Sequence, residues 1–176
     1  MRPTVLINGT LVTGYAKLPD CGLYIDAHGE IGDIFNMARY PRKDFPKEAR
    51  VIDVRGAVVA PGFIDTHIHG IGGYGTEDND EASILGMSEA LTEYGVAGFL
   101  PTIYTDSMEN MLAGIKAIVR ATGKEKGARI LGINVEGPFI SPERIGAQNP
   151  LGLQKVDLHV FNQLIDAGQG HVVCMT

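Results

Sequence analysis

Residues 96–123 read VAGFLPTIYTDSMENMLAGIKAIVRATG, and this stretch gives the clearest indication of the fold class. The largely apolar run Val96–Ile103 is typical of a buried strand. The residues after it repeat apolar side chains at helical spacing and end at Gly123, with Asp106 and Glu109 as a predicted capping box. A strand followed directly by an amphipathic helix is the repeating unit of a parallel sheet.

The same unit recurs on both sides of this stretch. We expect further strands within residues 57–68, 129–135 and 171–176, and further helices over 80–94 and 157–167. The predicted order is β-α-β-α-β-α-β. Because a complete (β/α)8 barrel takes about 250 residues, we expect an α/β fold that is half of a (β/α)8 TIM barrel. Such a half leaves two parallel strand edges open, so a truncated parent protein or an obligate partner is expected.

A small antiparallel β domain of the sandwich type is expected over residues 1–56, ahead of the barrel domain over residues 57–176. Asn8-Gly9 separates two short apolar runs and predicts a hairpin with a type I′ turn. Gly29 predicts the turn of a second strand-turn-strand unit. The proline-containing and charged stretch 36–50 is predicted to be a surface loop.

Composition indicates a folded protein and excludes several classes of partner. The 176 residues are 44% hydrophobic and 20% charged, which is typical of globular domains. A formal net charge of −6 argues against a nucleic-acid partner. No apolar stretch is long enough to predict a membrane span or a signal peptide. Cys21 and Cys174 form no disulfide framework, so we expect a cytoplasmic protein.

Three side chains predicted at strand ends suggest a metal site. His67 and His69 are two residues apart, so both project from one face of the first barrel-type strand. Glu136 ends the third strand, and the carboxyl ends of parallel strands meet at one rim. Alone, the histidines could be surface or core residues and Glu136 a loop-anchoring acid. Together they favour a metal site, with Asp65 in a supporting role.

The stretch 61–70, PGFIDTHIHG, resembles the first-strand motif of the amidohydrolase superfamily, which comprises metal-dependent hydrolases built on a barrel with a small flanking β domain. Residues 135–139, VEGPF, and 146–150, GAQNP, are similar to segments of a family within it, the deacetylases of amino-sugar phosphates. The resemblance implies hydrolysis of N-acetylglucosamine 6-phosphate to glucosamine 6-phosphate and acetate.

The resemblance also implies roles for individual residues. Glu136 would be a metal ligand, and His67 and His69 would be ligands of a second or adjacent metal position. The cofactor would be a divalent ion, with Zn²⁺ foremost and Fe²⁺, Co²⁺ or Mn²⁺ as alternatives. Ala147 and Gln148 would contact the amino sugar, although the family usually has histidine at the position of Gln148.

The resemblance implies that the chain is the N-terminal half of the (β/α)8 TIM barrel with its flanking β domain, because the later barrel strands of the family have no counterpart among these 176 residues. They would supply further histidine ligands and the general-base aspartate, so we expect the chain alone to be inactive and the full-length protein to form a homo-oligomer, such as a dimer. Two alternatives stay open. The chain could belong to another amidohydrolase, such as a cyclic-amide hydrolase, or it could be a non-catalytic half-barrel remnant or partner subunit.

Overall fold

The computed structural model describes residues 1–40 and 45–176. The predicted surface loop over 36–50 therefore falls partly outside the described residues. The chain divides into two compact units, Met1–Pro61 and Gly62–Thr176. Within the described residues, no helix has the length and apolar character needed to cross a membrane.

The first unit is a single mixed sheet. Its strands are β1 (Thr4–Val12), β2 (Lys17–Ile25), β3 (Ile31–Asn36), β4 (Arg50–Asp53) and β5 (Val58–Val59). The order is β3-β2-β1-β4, with β5 also paired to β1. β2 is antiparallel to β1 and β3, whereas β4 and β5 run parallel to β1. The prediction of an antiparallel domain is therefore wrong for β4 and β5, and the described strands form one sheet rather than a sandwich.

The predicted hairpin at Asn8-Gly9 is also wrong, because β1 continues through both residues. Asn8 adopts the left-handed conformation with φ 58°, and the pairing with β2 shifts register here. The result is a β-bulge, which lets β1 pair with β4 before the bulge and with β5 after it. The chain turns instead at Thr13, whose backbone N–H donates to the carbonyl of Ala16 (2.9 Å). The turn at Gly29 lies where it was predicted, with φ 85°.

The second unit alternates parallel strands with helices. Its strands are β6 (Phe63–Ile68), β7 (Gly70–Ile71), β8 (Tyr74–Gly75), β9 (Val96–Ile103), β10 (Arg129–Ile130), β11 (Ile133–Val135) and β12 (Val172–Met175). Its helices are α1 (Glu81–Leu91), α2 (Met108–Ala121) and α3 (Leu158–Ala167). β6, β9, β11 and β12 lie side by side in chain order and parallel, β10 also pairs with β9, and β7 and β8 form a small hairpin.

Two strands differ from their predicted bounds. The first begins at Phe63, because residues 58–59 pair with β1 in the other unit's sheet. The third is split into β10 and β11 at Gly132, which has φ 153°. A Cβ on Gly132 would lie 2.6 Å from Val173 Cγ2, so the missing side chain permits a close approach to β12.

A dense apolar core fixes the carboxyl ends of these strands. Its large, fully buried side chains come from all three helices and from β9 and β11: Ile84, Met87, Leu91, Phe99, Met111, Ile115, Ile118, Ile133, Val135 and Leu164. Burying a side chain of this size contributes about 1.5–3 kcal/mol. Residues directly after β6, β9 and β11 are thereby placed at one end of a rigid sheet.

Candidate metal centre

The orientation of His69 is set by a backbone carbonyl on the neighbouring strand. His69 Nδ1 lies 2.9 Å from the carbonyl oxygen of Thr102 in β9. A carbonyl only accepts, so Nδ1 carries the hydrogen and a neutral His69 ring presents an unprotonated Nε2 to the site. The Thr76 hydroxyl donates to the same carbonyl at 2.8 Å and holds it in place. The ring of Tyr104 lies edge-on to the His69 ring, with the centroids 5.6 Å apart.

His67 is held from two directions. Its backbone N–H donates to Asp65 Oδ1 at 3.1 Å. Asp65 therefore supports the backbone at the strand end, which agrees with its predicted supporting role. His67 Nδ1 lies 3.4 Å from Nδ2 of Asn134, and the same Nδ2 donates to the Thr66 carbonyl at 3.3 Å. Asn134 Oδ1 has no hydrogen-bond partner among the described residues. His67 Nε2 points toward His69 Nε2, at 3.3 Å.

Glu136 completes the group from the end of β11. Its Oε2 lies 3.1 Å from Nε2 of both His67 and His69. The backbone of Glu136 is fixed to β9, because its N–H donates to the Ile103 carbonyl (2.6 Å) and its carbonyl accepts from the Thr105 hydroxyl (3.1 Å). The carboxylate therefore reaches the two imidazoles from a constrained backbone.

The three ligand atoms form a triangle with edges of 3.1, 3.1 and 3.3 Å. Tetrahedral ligands at ordinary Zn–N and Zn–O bond lengths are about 3.3–3.4 Å apart. The side chains of His67, His69 and Glu136 are 47%, 38% and 23% exposed, so one side of the triangle is open. When the His69 ring is neutral, its Nε2 lone pair faces a carboxylate oxygen 3.1 Å away, and a metal cation bound between the two atoms would make that approach favourable. The donor set therefore fits a divalent metal ion.

This triangle is distinctive within the described residues. There, His67, His69 and Glu136 are the only group of three or more His, Cys, Asp or Glu side chains close enough to share an ion. The other histidines, His28, His159 and His171, lie outside it.

The predicted substrate residues lie on a loop beside this rim. Gln148 is half-buried, and its Oε1 accepts the backbone N–H of Thr105 at 2.7 Å. Ala147 is exposed. Neither residue contacts the triangle through a hydrogen bond that the structure shows. Gln148 is instead attached to the strand end that also holds Glu136.

The N-terminal cap of α2 differs from the predicted Asp106–Glu109 capping box, and the Asp106 carboxylate instead binds Asn149 in the loop that carries Ala147 and Gln148. Ser107 caps the helix, because its Oγ accepts the Asn110 N–H at 3.2 Å. Asp106 instead accepts from Asn110 Nδ2, from the Ser107 N–H and from Asn149 Nδ2. These hydrogen bonds, that of Asn110 first, hold the pKa of Asp106 below its usual value. Burial, together with the nearby acids Glu77 and Asp106, raises the pKa of Tyr104.

Sequence reasoning missed two residues that orient the imidazoles. Asn134 lies two residues before Glu136, and the alternation of strand side chains could have placed it on the same face. Thr102 acts through its backbone carbonyl, which leaves no signal in the sequence. Its role follows only from the register of β6 against β9.

Solved structures share this fold. An N-acetylglucosamine-6-phosphate deacetylase from Pasteurella multocida superposes with a TM-score of 0.82 at 23% identity, over 98% of this chain and 44% of that one. The deacetylase from Mycobacterium smegmatis gives a TM-score of 0.74 at 26% identity, over 99% of this chain and 46% of that one. A putative prolidase from Bifidobacterium longum superposes with a TM-score of 0.61 at 23% identity, over 95% of this chain and 39% of that one.

Curated relatives are similar in sequence. The N-acetylglucosamine-6-phosphate deacetylase of Bacillus subtilis is 32% identical over 173 residues, covering 96% of this chain and 41% of the relative. The human deacetylase is 35% identical over 134 residues, covering 71% of this chain and 32% of the relative. An N-acetylgalactosamine-6-phosphate deacetylase from Escherichia coli O157:H7 is 32% identical over 127 residues, covering 70% of this chain and 33% of the relative. No protein-family model matches the chain.

The consecutive parallel strands of this unit superpose on deacetylase structures of 25–26% identity, which places the chain among the amidohydrolases. Within that class, the chain belongs to the N-acetylglucosamine-6-phosphate deacetylase family, which confirms the family resemblance in its sequence. The chain spans 41% of the length of the Bacillus subtilis relative and 32% of the human one.

Proposed function

We propose that this chain carries a metal centre of a deacetylase that acts on N-acetylglucosamine 6-phosphate. The observation that carries the proposal is the triangle of His67, His69 and Glu136, found in a chain 32–35% identical to deacetylases of that name. Two imidazole nitrogens and a carboxylate oxygen suit Zn²⁺, and they also accept Fe²⁺, Co²⁺ or Mn²⁺.

A divalent ion bound at the triangle supplies Lewis-acid chemistry, polarising an amide carbonyl and making water a better nucleophile at neutral pH. The chain's own residues prepare the site for it. Thr102 keeps the His69 lone pair directed at the site, and Thr105 fixes the backbone of Glu136. The open side of the triangle leaves room for the acetamide of a substrate.

We propose that Ala147 and Gln148 lie where the amino sugar binds. Gln148 is attached through its Oε1 to the Thr105 N–H, which leaves its amide nitrogen as a donor for a sugar oxygen. A loop fixed to the end of β9 could place that donor beside the metal centre. A Mycobacterium smegmatis deacetylase variant has been solved in complex with N-acetyl-D-glucosamine-6-phosphate, and it superposes on 99% of this chain with a TM-score of 0.77.

We propose further that the second unit is the first half of a (β/α)8 barrel. Its four parallel strands follow chain order, and among the described residues β6 pairs only with β9 and β12 only with β11. Ile64, Leu131 and Val173, on or next to these strands, are exposed apolar residues. Strands of a further half-barrel would cover both edges and this apolar surface.

A chimera tests the proposed activity. Residues 1–176 would replace the aligned segment of the Bacillus subtilis deacetylase, and acetate release from N-acetylglucosamine 6-phosphate would be measured with zinc present. We expect turnover by the chimera, none by its Glu136→Gln variant and none by the 176-residue chain alone. N-Acetylgalactosamine 6-phosphate and dihydroorotate are the comparison substrates. A folded, zinc-loaded chimera that hydrolyses dihydroorotate but not the amino-sugar phosphates would favour the cyclic-amide alternative.

A further inference from the structure

Thr105 links the backbone of the candidate metal ligand to the loop beside the site. It lies two residues after the end of β9 and is fully buried. Its hydroxyl donates to the carbonyl of Glu136 at 3.1 Å, and its backbone N–H donates to Gln148 Oε1 at 2.7 Å. Thr105 therefore contacts both the backbone of Glu136 and the side chain of Gln148, which lies 12 residues after Glu136 in the sequence.

The Thr105 hydroxyl occupies space that only a glycine at position 137 leaves free. Gly137 has φ 93°, and a Cβ built on it would lie only 1.9 Å from Thr105 Oγ1. Any larger residue at position 137 would push the threonine hydroxyl away from the Glu136 carbonyl. Gly137 thus leaves room for the Thr105 hydroxyl to hydrogen-bond to the backbone carbonyl of Glu136.

The loop has a second attachment beside the first. We define the rim segment as residues 137–154. Asn149 Nδ2 donates to Asp106 Oδ1 at 2.9 Å, and a Cβ on Gly152 would lie 2.4 Å from the Asp106 carbonyl oxygen. The Gln154 N–H donates to the Pro138 carbonyl at 3.0 Å and closes the segment on itself. The rim segment is therefore held against residues 105 and 106.

We propose that Thr105 is a positioning residue that couples metal binding at Glu136 to the order of the rim segment. A bound ion fixes Glu136, and Thr105 passes that constraint to Gln148. Binding couplings are reciprocal, so loosening Gln148 must weaken metal binding, although Gln148 is not a ligand. This inference rests on the proposed metal centre and adds the link between that centre and the loop proposed to meet the sugar.

The test combines zinc affinity with hydrogen exchange in the 176-residue chain. Thr105→Val keeps the side-chain shape but removes the hydroxyl donor, and Thr105→Ser keeps the donor. Thr122→Val is the matched control, because the half-buried Thr122 hydroxyl donates to the Ile118 carbonyl (2.9 Å) in α2. Gln148→Ala removes the other end of the link. Zinc affinity is measured by competition with a chromophoric chelator, and exchange is followed in peptides that cover Glu136 as well as the rim segment.

We expect zinc affinity to fall about tenfold in Thr105→Val and in Gln148→Ala, and to change less than about threefold in Thr105→Ser and Thr122→Val. Zinc should slow exchange of the rim segment in the unmodified chain and fail to do so in Thr105→Val. Without metal, Gln148→Ala should speed exchange at the Glu136 N–H, which donates to the Ile103 carbonyl.

Zinc affinity within about twofold of the parent in both Thr105→Val and Gln148→Ala, with rim-segment protection retained, would overturn the inference. If Thr105→Val does not fold, Gln148→Ala decides the matter, because its side chain is only half-buried. Failure of the unmodified chain to bind zinc would overturn the metal centre instead. The metal-free exchange at Glu136 would then still decide whether Gln148 and Glu136 are coupled.

Discussion

Replacing Glu136 with glutamine should weaken zinc binding by about 100-fold. Glu136 Oε2 lies 3.1 Å from Nε2 of both His67 and His69, so it is one of three atoms that surround the ion position. Structural zinc sites with four ligands bind with about 10–16 kcal/mol, which is about 2.5–4 kcal/mol per ligand. Glutamine keeps the shape and one oxygen but loses the charge, so the lower figure applies, and about 1.4 kcal/mol corresponds to each tenfold change in affinity.

The assay is a zinc competition titration of the 176-residue chain, with far-ultraviolet circular dichroism to show that each variant is folded. Glu143→Gln is the matched control. Glu143 is exposed, lies in a short turn of the rim segment and undergoes the same loss of charge, and its affinity should stay within about twofold of the parent. A folded Glu136→Gln chain that binds zinc within about threefold of the parent would refute the assignment of Glu136 as a ligand.

Three further predictions concern the surroundings of the site. Asn134→Leu removes the amide beside His67 Nδ1 and should weaken zinc binding about tenfold; an unchanged titration would show that Asn134 does not orient the ring. Ile118→Ala leaves a cavity at a fully buried position of α2 and should lower the free energy of unfolding by about 2–5 kcal/mol in urea titrations, whereas a loss below 1 kcal/mol would contradict the described core. The pKa of Asp106 is lowered from an ordinary 3.8, chiefly by Asn110, so its stabilising contribution is present above pH 3.8 and is lost as the pH falls through the lower folded value. Asp106→Asn should therefore show a smaller loss of stability on acidification below pH 4, and equal losses in the two chains would contradict this.

Elements with a strong local period could be predicted from the sequence. The bounds of β9 match the apolar run Val96–Ile103, and Gly95 follows the helical turns with φ 74°. Apolar residues at helical spacing also placed α2 and α3 within a residue or two of their observed bounds. In these stretches the backbone follows from neighbouring residues and from the face that must be buried.

Features decided by distant partners could not be predicted. The left-handed conformation of Asn8 suits a hairpin turn or a bulge, and strands β4 and β5, more than 40 residues later, select the bulge. Asp106 and Ser107 can both cap a helix. The Asp106 carboxylate instead accepts a hydrogen bond from Asn149, 43 residues away, and Ser107 caps the helix.

The site shows the same division. Strand-end position was sufficient to predict that His67, His69 and Glu136 come together, because parallel strands align their carboxyl ends. It was not sufficient to predict the Thr102 carbonyl behind His69 or the Thr105 hydroxyl behind Glu136. Both depend on the register of β9 against its neighbours, which the sequence of β9 does not encode by itself.

Zinc K-edge X-ray absorption on the chain loaded with one equivalent of zinc tests the metal centre most directly. We expect nitrogen and oxygen scatterers at about 2.0–2.1 Å from the zinc, with more distant scattering from the rings of two imidazoles. In the His67→Ala variant, the spectrum should fit only one imidazole. Sulfur scatterers near 2.3 Å would place the ion on Cys21 or Cys174, and scattering from solvent oxygen alone would show that the triangle does not hold it; either result would contradict the metal centre assigned to His67, His69 and Glu136.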